Sequence, residues 1–260
     1  MIDSFNNERD HRHRLERLAT DQRCQSNRAE RLSVILLSFK RPRNLNKILS
    51  CLTLCDFVDE IILSNNNPEF QIEEYLHIDD SRIRIINQPE RRYASIRCEL
   101  SLEAKSEFIL AIDDDIFLQP EQVLRLFECL IDAPDTPHGL GGQIFSDDLS
   151  SSRLVSNREM PIEALVWLFA YTKQHVNKYF EILDALNINN RQIESSEDVP
   201  LSFSGEDYAK VHDFGYLARC HTSGKEGVAT WRNSGFTEHR KTLIKQMREL
   251  RNFNRDSFDE

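Results

Sequence analysis

The sequence lacks the features that mark several large classes of protein. No apolar run approaches the roughly 20 residues that cross a bilayer, and residues 1–30 are polar and charged, without the apolar core of a signal peptide. The six cysteines are scattered and form no CxxC pair, a pattern typical of reduced thiols in a cytosol. A net charge of −10 argues against general binding to nucleic acid or to an anionic membrane. These absences predict a cytoplasmic protein that binds no nucleic acid and contacts a membrane at most peripherally.

Two common phosphate-binding motifs are also missing. The chain has only eight glycines among 260 residues, and neither GxxxxGK[ST] nor GxGxxG occurs. A bound phosphate would therefore depend on arginines and a metal ion rather than on a glycine-rich loop.

The strongest chemical signal is a run of three aspartates that follows a short apolar segment. Residues 108–112 read Phe-Ile-Leu-Ala-Ile and lead directly into Asp113, Asp114 and Asp115. An apolar run of this length is typical of a buried strand. Three carboxylates at a strand end repel one another where solvation is poor. A divalent cation would relieve that repulsion, and oxygen-only ligands suit Mn²⁺ or Mg²⁺. A solvated acidic turn is the alternative at this point.

The segments before the aspartates alternate between strand and helix patterns. Helices are expected to begin near Pro42 and to cover 94–105. This alternation is typical of an α/β domain with a Rossmann-like, mostly parallel central sheet flanked by helices. The strand-like runs lie at 33–39, 58–63, 82–86 and 107–112.

Polar side chains follow three of these strands. Ligands of open parallel sheets bind beyond the carboxyl ends of the strands, so we expect these side chains to meet in one crevice. A basic pair suits a phosphate, amides suit a base or ribose, and carboxylates suit a metal ion. Together they describe a nucleoside diphosphate with its cation. The residues are Ser38, Lys40 and Arg41 after the first strand, Asn65, Asn66 and Asn67 after the second, and the three aspartates after the fourth.

These residues resemble the nucleotide-sugar glycosyltransferases of the GT-A fold, and family 2 most of all. Ser33-Val-Ile-Leu-Leu-Ser-Phe39 is similar to that family's first strand, and the three aspartates match its DXD motif. Arg97 lies 16 residues before Asp113, as an arginine does in the family, whereas Cys98 stands where the family usually has asparagine. The opening strand and the turn at 66–69 also resemble the exostosin-like family 64, which retains anomeric configuration.

The resemblance implies a single GT-A domain over 33–240. The predicted segments are a charged N-terminal arm or helix (1–32), a nucleotide-sugar-binding half (33–118), an acceptor-binding half (119–240), and a basic amphipathic C-terminal helix with its tail (241–260).

Within the second half, a helix is expected to open at Gln119-Pro120-Glu121, and residues 187–200 are expected to form a loop. Residues 161–186 are predicted to form one long amphipathic helix or two shorter ones. The aromatic residues of that segment fit a core better than a sugar platform; they are Trp167, Phe169, Tyr171 and Tyr179.

Glu206 and Asp207 are the predicted catalytic pair. The family carries Glu-Asp or Asp-Asp at the start of a helix that faces the acceptor. The resemblance therefore implies that Asp207, or Glu206, is the general base that deprotonates the acceptor hydroxyl. A structural alternative exists, because Ser204 with Asp207 also fits a helix capping box.

The resemblance also implies a metal-dependent transfer. Asp113 and Asp115 would bind Mn²⁺ or Mg²⁺, Asp113, Asp114 and Arg97 would contact the nucleotide sugar, and His239 (or His221) would be a further metal ligand. The expected donor is a UDP- or GDP-sugar, and the expected acceptor is a carbohydrate or a lipid-linked molecule, in polysaccharide or glycoconjugate biosynthesis. Inversion of the anomeric centre is favoured, and retention is the alternative.

Four other classes fit less well. A phosphatase of the haloacid dehalogenase type also has DxD after a buried strand, but that strand comes first in its domain. A nucleotidylyltransferase resembles a GxGxRxxP opening, which is absent. An EF-hand calcium loop fails because Phe117 and Leu118 stand where an oxygen ligand and glycine are required. A non-catalytic sugar-binding module stays open as an alternative.

Overall fold

The computed structural model of the chain describes residues 22–220, 223–224 and 226–251. Its first half alternates strands and helices, as the sequence predicts. The strands are β1 (Leu32–Ser38), β2 (Val58–Asn65), β3 (Ile83–Asn87), β4 (Phe108–Asp113) and β5 (Ile116–Phe117). The helices are α1 (Leu45–Thr53), α2 (Ile96–Glu103) and α3 (Pro120–Asp132).

The second half contains shorter strands and three helices. The strands are β6 (His138–Gly139), β7 (Gly141–Phe145), β8 (Ser152–Ser156), β9 (Met160–Ile162), β10 (Ala164–Leu165), β11 (Leu168–Thr172), β12 (Ala209–Val211) and β13 (Ala218–Arg219). The helices are α4 (Lys173–Ala185), α5 (Asp198–Ser202) and α6 (Phe236–Arg251). Short 3₁₀ turns lie at Pro42–Asn44, Ile72–Tyr75, Asn190–Gln192 and Thr230–Arg232.

Among the described residues the main sheet has eight strands, in the order β3-β2-β1-β4-β11-β6-β12-β9. The first four of these are mutually parallel, so their carboxyl ends share one edge of the sheet. β11 runs antiparallel to β4, whereas β6 and β12 run in the direction of β4. The prediction of an α/β protein with a mostly parallel central sheet is confirmed.

Helices cover both faces of this sheet, which explains the unbroken apolar run at 34–37 in β1. Val34 and Leu36 pack with α1 and α3 on one face, while Ile35 and Leu37 pack with α2 and α4 on the other. Successive strand residues point to opposite faces, so a strand that is buried on both sides needs an apolar residue at every position.

The helix prediction for 161–186 is wrong in its first half. β9, β10 and β11 occupy residues 160–172, and only α4 is helical. Phe169 and Tyr171 face one side of the sheet, while Leu168 and Ala170 face the other. A strand buried on both faces has the same apolar run as a buried helix, and its pairing with β4 decides between them. Phe169, Tyr171 and Tyr179 are buried core residues, as expected.

Two further local predictions fail. Residues 203–208 do not begin a helix; they form a turn that leads into β12. The predicted loop at 187–200 ends earlier than expected, because α5 starts at Asp198. The capping box between Ser204 and Asp207 is therefore absent from this turn, where the Ser204 hydroxyl donates to the Leu201 carbonyl instead.

The C-terminal helix α6 crosses the predicted boundary at 240/241 and packs on the domain. Leu243, Ile244 and Met247 form a third apolar cluster with β7 and α5. Residues 1–21 and 252–260 lie outside the described residues, so the predicted arm and tail are described only in part. No helix within the described ranges is long and apolar enough to span a membrane.

Arg248 fixes α6 to the sheet through a buried ion pair. Its Nε donates to Glu163 Oε1 at 2.8 Å and its Nη2 donates to Glu163 Oε2 at 3.1 Å. Arg248→Ala would leave the Glu163 carboxylate buried and unpaired, so we expect a loss of about 3–5 kcal/mol in the free energy of unfolding. Lys241→Ala on the same helix is the matched control, because Lys241 pairs with the exposed Glu238 at 3.5 Å. That control should cost less than about 0.5 kcal/mol. Urea unfolding measures both, and equal losses would contradict the role of Arg248.

Candidate active site

Asp114 ties the end of β4 to the turn after β1. Its Oδ2 accepts from the Phe39 backbone N–H at 3.1 Å and from the Ser38 hydroxyl at 3.4 Å, and its Oδ1 accepts from Arg41 Nη1 at 2.8 Å. Its backbone carbonyl accepts from Asn44 Nδ2 at 2.8 Å. Both carboxylate oxygens of this buried residue are thus engaged inside the protein, together with the predicted ligand groups Ser38 and Arg41.

Arg41 also reaches the next aspartate. Its Nη2 lies 3.3 Å from Asp115 Oδ2, so one guanidinium spans two carboxylates. Burial and, after it, the charge of Asp113 raise the pKa of Asp115 to about 6, although Arg41 opposes the shift. The acidic cluster predicted from the sequence therefore lies in a partly desolvated place, as expected, and arginines supply part of its countercharge.

Arg97 forms an ion pair with Asp113, the first aspartate of the run. Its guanidinium is fully buried, and Nη2 donates to Asp113 Oδ1 at 2.7 Å while Nε lies 3.2 Å from Glu197 Oε1. Burial alone would lower the pKa of Arg97, but Asp113 and Glu197 outweigh it and raise the pKa, so the side chain stays charged. Nη1 is buried without a hydrogen-bond partner in the described part of the chain. A buried donor of this kind favours a ligand oxygen beside it.

Glu197 is a site residue that the sequence reasoning missed. It is buried at the start of α5, and burial raises its pKa to about 7, with Arg97 opposing the shift and Asp198 and Asp113 adding to it. Its neighbour Asp198 is held by Arg240 through two hydrogen bonds of 2.7 and 2.6 Å. The signal was present in the sequence, because Glu197-Asp198 repeats the dipeptide Glu206-Asp207 and precedes a helix.

The three asparagines after β2 shape their own turn. Asn65 Oδ1 accepts from the Asn67 backbone N–H at 3.1 Å, and Asn67 Oδ1 accepts from the Glu69 N–H at 3.0 Å. Asn66 Oδ1 accepts from the Ser64 hydroxyl at 2.7 Å. These contacts hold the turn beside the end of β1, and much of the predicted hydrogen-bonding capacity is used within it.

A basic aromatic wall lies beside that turn. The Arg91 guanidinium is 4.8 Å from the ring centroid of Phe39 and 5.1 Å from that of Tyr93. Lys40 donates to the Gly227 carbonyl at 3.0 Å and so connects this wall to the segment before α6. Flat cation–aromatic surfaces suit a nucleobase. The sequence reasoning missed Arg91 and Tyr93, although they follow β3 at the same edge.

The structure does not bring Glu206 and Asp207 to the aspartates. The register across β12, β6, β11 and β4 places Lys210 level with Leu110. Asp207 comes before Lys210 and so lies toward the amino end of β4, whereas Asp113 is at the carboxyl end. Both acidic side chains of the predicted pair are exposed.

The predicted histidine ligand lies on the surface of the C-terminal helix. His239 is exposed in the first turn of α6, and its backbone N–H donates to the Gly235 carbonyl at 2.9 Å. His221 lies outside the described residues. Across 22–220, 223–224 and 226–251 no three His, Cys, Asp or Glu side chains form a group that could hold a metal ion by themselves.

Asp113 and Asp115 nevertheless suit a cation that takes its other ligands elsewhere. Within the described residues, each has one carboxylate oxygen that makes no hydrogen bond or ion pair, and the Asp113 side chain is 36% exposed. Mg²⁺ usually keeps several waters and binds one or two carboxylates together with substrate phosphates. The donor set therefore fits a cation that is shared with a nucleoside diphosphate.

The strand order, the flanking helices and the acidic carboxyl edge define an α/β protein of the GT-A type. A model of the family described as Glycosyl transferase family 2 matches residues 33–184, which is more than half of the chain. The chain belongs to that family, as its sequence resemblance implied. The matched stretch contains Arg41, Arg97 and the three aspartates, but it ends before Glu197 and Asp207.

Comparison with solved structures supports the fold. The crystal structure of GalNAc-T7 with UDP, GalNAc and Mn²⁺ superimposes with a TM-score of 0.55 and 9% sequence identity, covering 75% of this chain and 45% of that one. This chain thus spans less than half the length of that protein, and at this identity the likeness shows the GT-A fold alone. No curated protein matches the sequence.

The raised pKa values of Glu197 and Asp115 predict how stability depends on pH. A carboxyl group whose pKa rises on folding stabilises the protein fully below its unfolded pKa, and this contribution is lost as the pH rises through the folded pKa. For Glu197 that window runs from 4.5 to about 7. We therefore expect the free energy of unfolding to fall between about pH 5 and about pH 7, by up to about 1.4 kcal/mol per unit for each group.

Glu197→Gln should make this decline shallower in metal-free buffer, measured by urea unfolding across the same pH range. Glu206→Gln is the control, since Glu206 is exposed. The free energy of unfolding of this variant should depend on pH as that of the wild type does. An unchanged slope in the Glu197 variant would contradict the burial effect.

Proposed function

We propose that this protein transfers a sugar from a UDP- or GDP-sugar to an acceptor hydroxyl with the help of a divalent cation, and that it inverts the anomeric centre. The observation that carries this proposal is the meeting of Asp113 and Asp115 with Arg41 and Arg97 at the carboxyl edge of a family 2 domain. Carboxylates for a cation and cations for phosphates are the two needs of a nucleoside diphosphate.

The nucleoside lies against the ends of β1 and β2 in this proposal. Ser38, Lys40 and the three asparagines border that region, and the ring of Phe39 with Arg91 supplies a face on which a base can stack. Arg97 Nη1, a buried donor that has no hydrogen-bond partner among the described residues, supports an oxygen of the donor sugar or its phosphate.

Asp113 and Asp115 would hold Mn²⁺ or Mg²⁺, which supplies neutralisation of the negative charge that develops on the leaving nucleoside diphosphate. The GalNAc-T7 structure has a similar fold and contains UDP and Mn²⁺, which supports a nucleoside diphosphate and Mn²⁺ as the ligands proposed here.

Glu197 is the favoured general base. It pairs with the same arginine that holds Asp113, its pKa of about 7 suits proton abstraction near neutral pH, and it opens a helix as the family's acidic pair does. Glu197 takes the proton of the acceptor hydroxyl while the oxygen attacks the anomeric carbon from the face opposite the leaving group, so the configuration inverts. Asp207 as the base and His239 as a metal ligand stay predictions.

The acceptor is proposed to be a carbohydrate or a lipid-linked molecule, and the pathway polysaccharide or glycoconjugate biosynthesis in the cytoplasm. The family resemblance supports this context. Retention, as in exostosin-like transferases, is the alternative stereochemistry.

A thermal-shift screen tests the donor site. UDP, GDP, CDP and dTDP are each added with and without Mn²⁺, at roughly 100 times the dissociation constant. At least one should raise Tm by about 5 °C only when Mn²⁺ is present. Asp113→Asn and Asp115→Asn should lose that metal-dependent shift, whereas Asp79→Asn, an exposed control, should keep it. A wild-type protein that shows no shift with any nucleotide would contradict the proposal and favour a non-catalytic module.

Turnover tests the base. Glu197→Gln should lower kcat by about 10²- to 10⁴-fold, measured as nucleoside diphosphate released from the nucleotide sugar in the presence of acceptor sugars. Asp207→Asn should keep near-wild-type turnover, because Asp207 lies at the opposite edge of the sheet. The reverse pattern would make Asp207 the base. Proton NMR of the product should show an inverted anomeric linkage, and a retained one would point to the exostosin-like mechanism.

A further inference from the structure

An arginine and a tryptophan beside the aspartates have no role in the mechanism above. Arg219 lies on β13, which pairs with β5 so that Arg219 is opposite Ile116, and the next residue, Cys220, donates its N–H to the Asp115 carbonyl at 2.8 Å. The Arg219 guanidinium stacks on Trp167, with its carbon 4.1 Å from the ring centroid. Trp167 in turn accepts the Asp113 N–H at its carbonyl, at 3.2 Å. The pair therefore borders both ends of the aspartate run.

Trp167 is held in a conformation that a large side chain rarely adopts. Its φ is 75°, in the left-handed region, which costs free energy for any residue with a Cβ. The ring occupies the space above Gly141, where an added Cβ would lie 2.2 Å from the ring carbon Cε3. Backbone strain of this kind persists where the surrounding structure fixes it, and it clusters at ligand sites. The strained backbone at Trp167 thus holds an indole against Arg219 at a position where glycine would be relaxed.

The stacking fixes the plane of the Arg219 guanidinium before any ligand binds. A planar cation on an aromatic face loses rotational freedom in advance, while the N–H groups at its edge stay available. Arg219 Nε is buried and has no hydrogen-bond partner within the described residues. An oriented guanidinium with an unsatisfied Nε–H is suited to a phosphate oxygen.

The ion pairs of the site also favour a phosphate as the ligand of Arg219. Arg41 is paired with Asp114 and Asp115, and Arg97 with Asp113 and Glu197. Arg219 has no ion pair with a carboxylate in the part of the chain that the structure describes, although its charge acts on Asp115. It is therefore a cation of this site that carboxylates have not already neutralised.

We propose that Arg219, held flat against Trp167, binds the diphosphate of the donor and of the leaving nucleoside diphosphate, and that Trp167 is the positioning residue for Arg219. This inference rests on the proposed function, and it adds a phosphate ligand that lies outside the stretch matched by the family.

Isothermal titration with UDP, GDP, CDP and dTDP, each with Mn²⁺, tests the role of Arg219. For the nucleotide that wild type binds, Arg219→Gln should weaken binding roughly 10- to 100-fold, and Arg219→Lys, which keeps the charge without the planar edge, should weaken it less. Arg125→Gln is the matched control, because Arg125 makes the same kind of stack on Phe214, at 4.0 Å, and its binding should be unchanged. Thermal melts of each variant report folding separately.

A double variant tests the role of Trp167. Trp167→Leu keeps an apolar side chain but removes the aromatic face. It should weaken nucleotide binding only because Arg219 is no longer held in place. The Trp167→Leu/Arg219→Gln protein should therefore bind no more weakly than Arg219→Gln, whereas multiplied losses would overturn the positioning role. If the leucine variant does not fold, Trp167→Phe, which keeps an aromatic face, should retain most of the affinity, and a loss equal to that of Arg219→Gln would overturn the same claim.

These experiments distinguish a failure of the proposed function from a failure of the role of Arg219. A wild-type protein that binds none of the four nucleotides overturns the proposed function together with this inference. A wild type that binds one of them, with Arg219→Gln binding equally well, overturns the role of Arg219 and leaves the transferase proposal standing.

Discussion

The site depends on one buried cation. Arg97 lies at the start of α2, beneath the end of β4 and beside the start of α5, and its charge is balanced by Asp113 and Glu197. A guanidinium that is removed from water is tolerated only when it is paired and hydrogen-bonded. Its two partners come from segments far apart in the chain, so this single requirement places a proposed metal ligand and a proposed base on the same arginine.

The three aspartates likewise need compensating positive charge. Three neighbouring carboxylates in a partly desolvated place would repel one another, and the sequence alone suggests that a metal ion must relieve this. In the structure Arg41 and Arg97 supply much of that countercharge, and burial together with the charge of Asp113 still raises the pKa of Asp115. The protein can thus fold with its acidic cluster in place, while a cation and the phosphates of a nucleotide complete the charge balance when they bind.

The sequence was most informative where the physical signal is local. Apolar runs that end in polar residues predicted β1, β2 and β4 because parallel strands buried on both faces allow little else. The family resemblance identified Arg97 as a site residue by its spacing from Asp113, but the ion pair between the two residues was not predicted. The helix prediction failed at 160–172, because a strand that is buried on both faces has the same apolar composition as a buried helix. The pairing of β11 with β4 distinguishes the two, and pairing is a property of the tertiary structure.

The predicted catalytic pair shows a second limit of the sequence. Glu197-Asp198 and Glu206-Asp207 are the same dipeptide, and the family resemblance was placed on the second, although local sequence does not distinguish them. Only the sheet register, which places Asp207 toward the opposite edge, and the contact between Glu197 and Arg97 separate them. The stack of Arg219 on Trp167 likewise joins residues that no local pattern connects.

The central claim is that the carboxyl edge of this family 2 domain binds a nucleoside diphosphate through a cation held by Asp113 and Asp115. The most direct measurement is the anomalous difference density of Mn²⁺ in crystals grown with UDP or GDP. The account predicts a peak in contact with both of those carboxylates and with the diphosphate of the bound nucleotide. A nucleotide bound at this edge with Mn²⁺ absent from the two aspartates, or bound elsewhere on the protein, would contradict it.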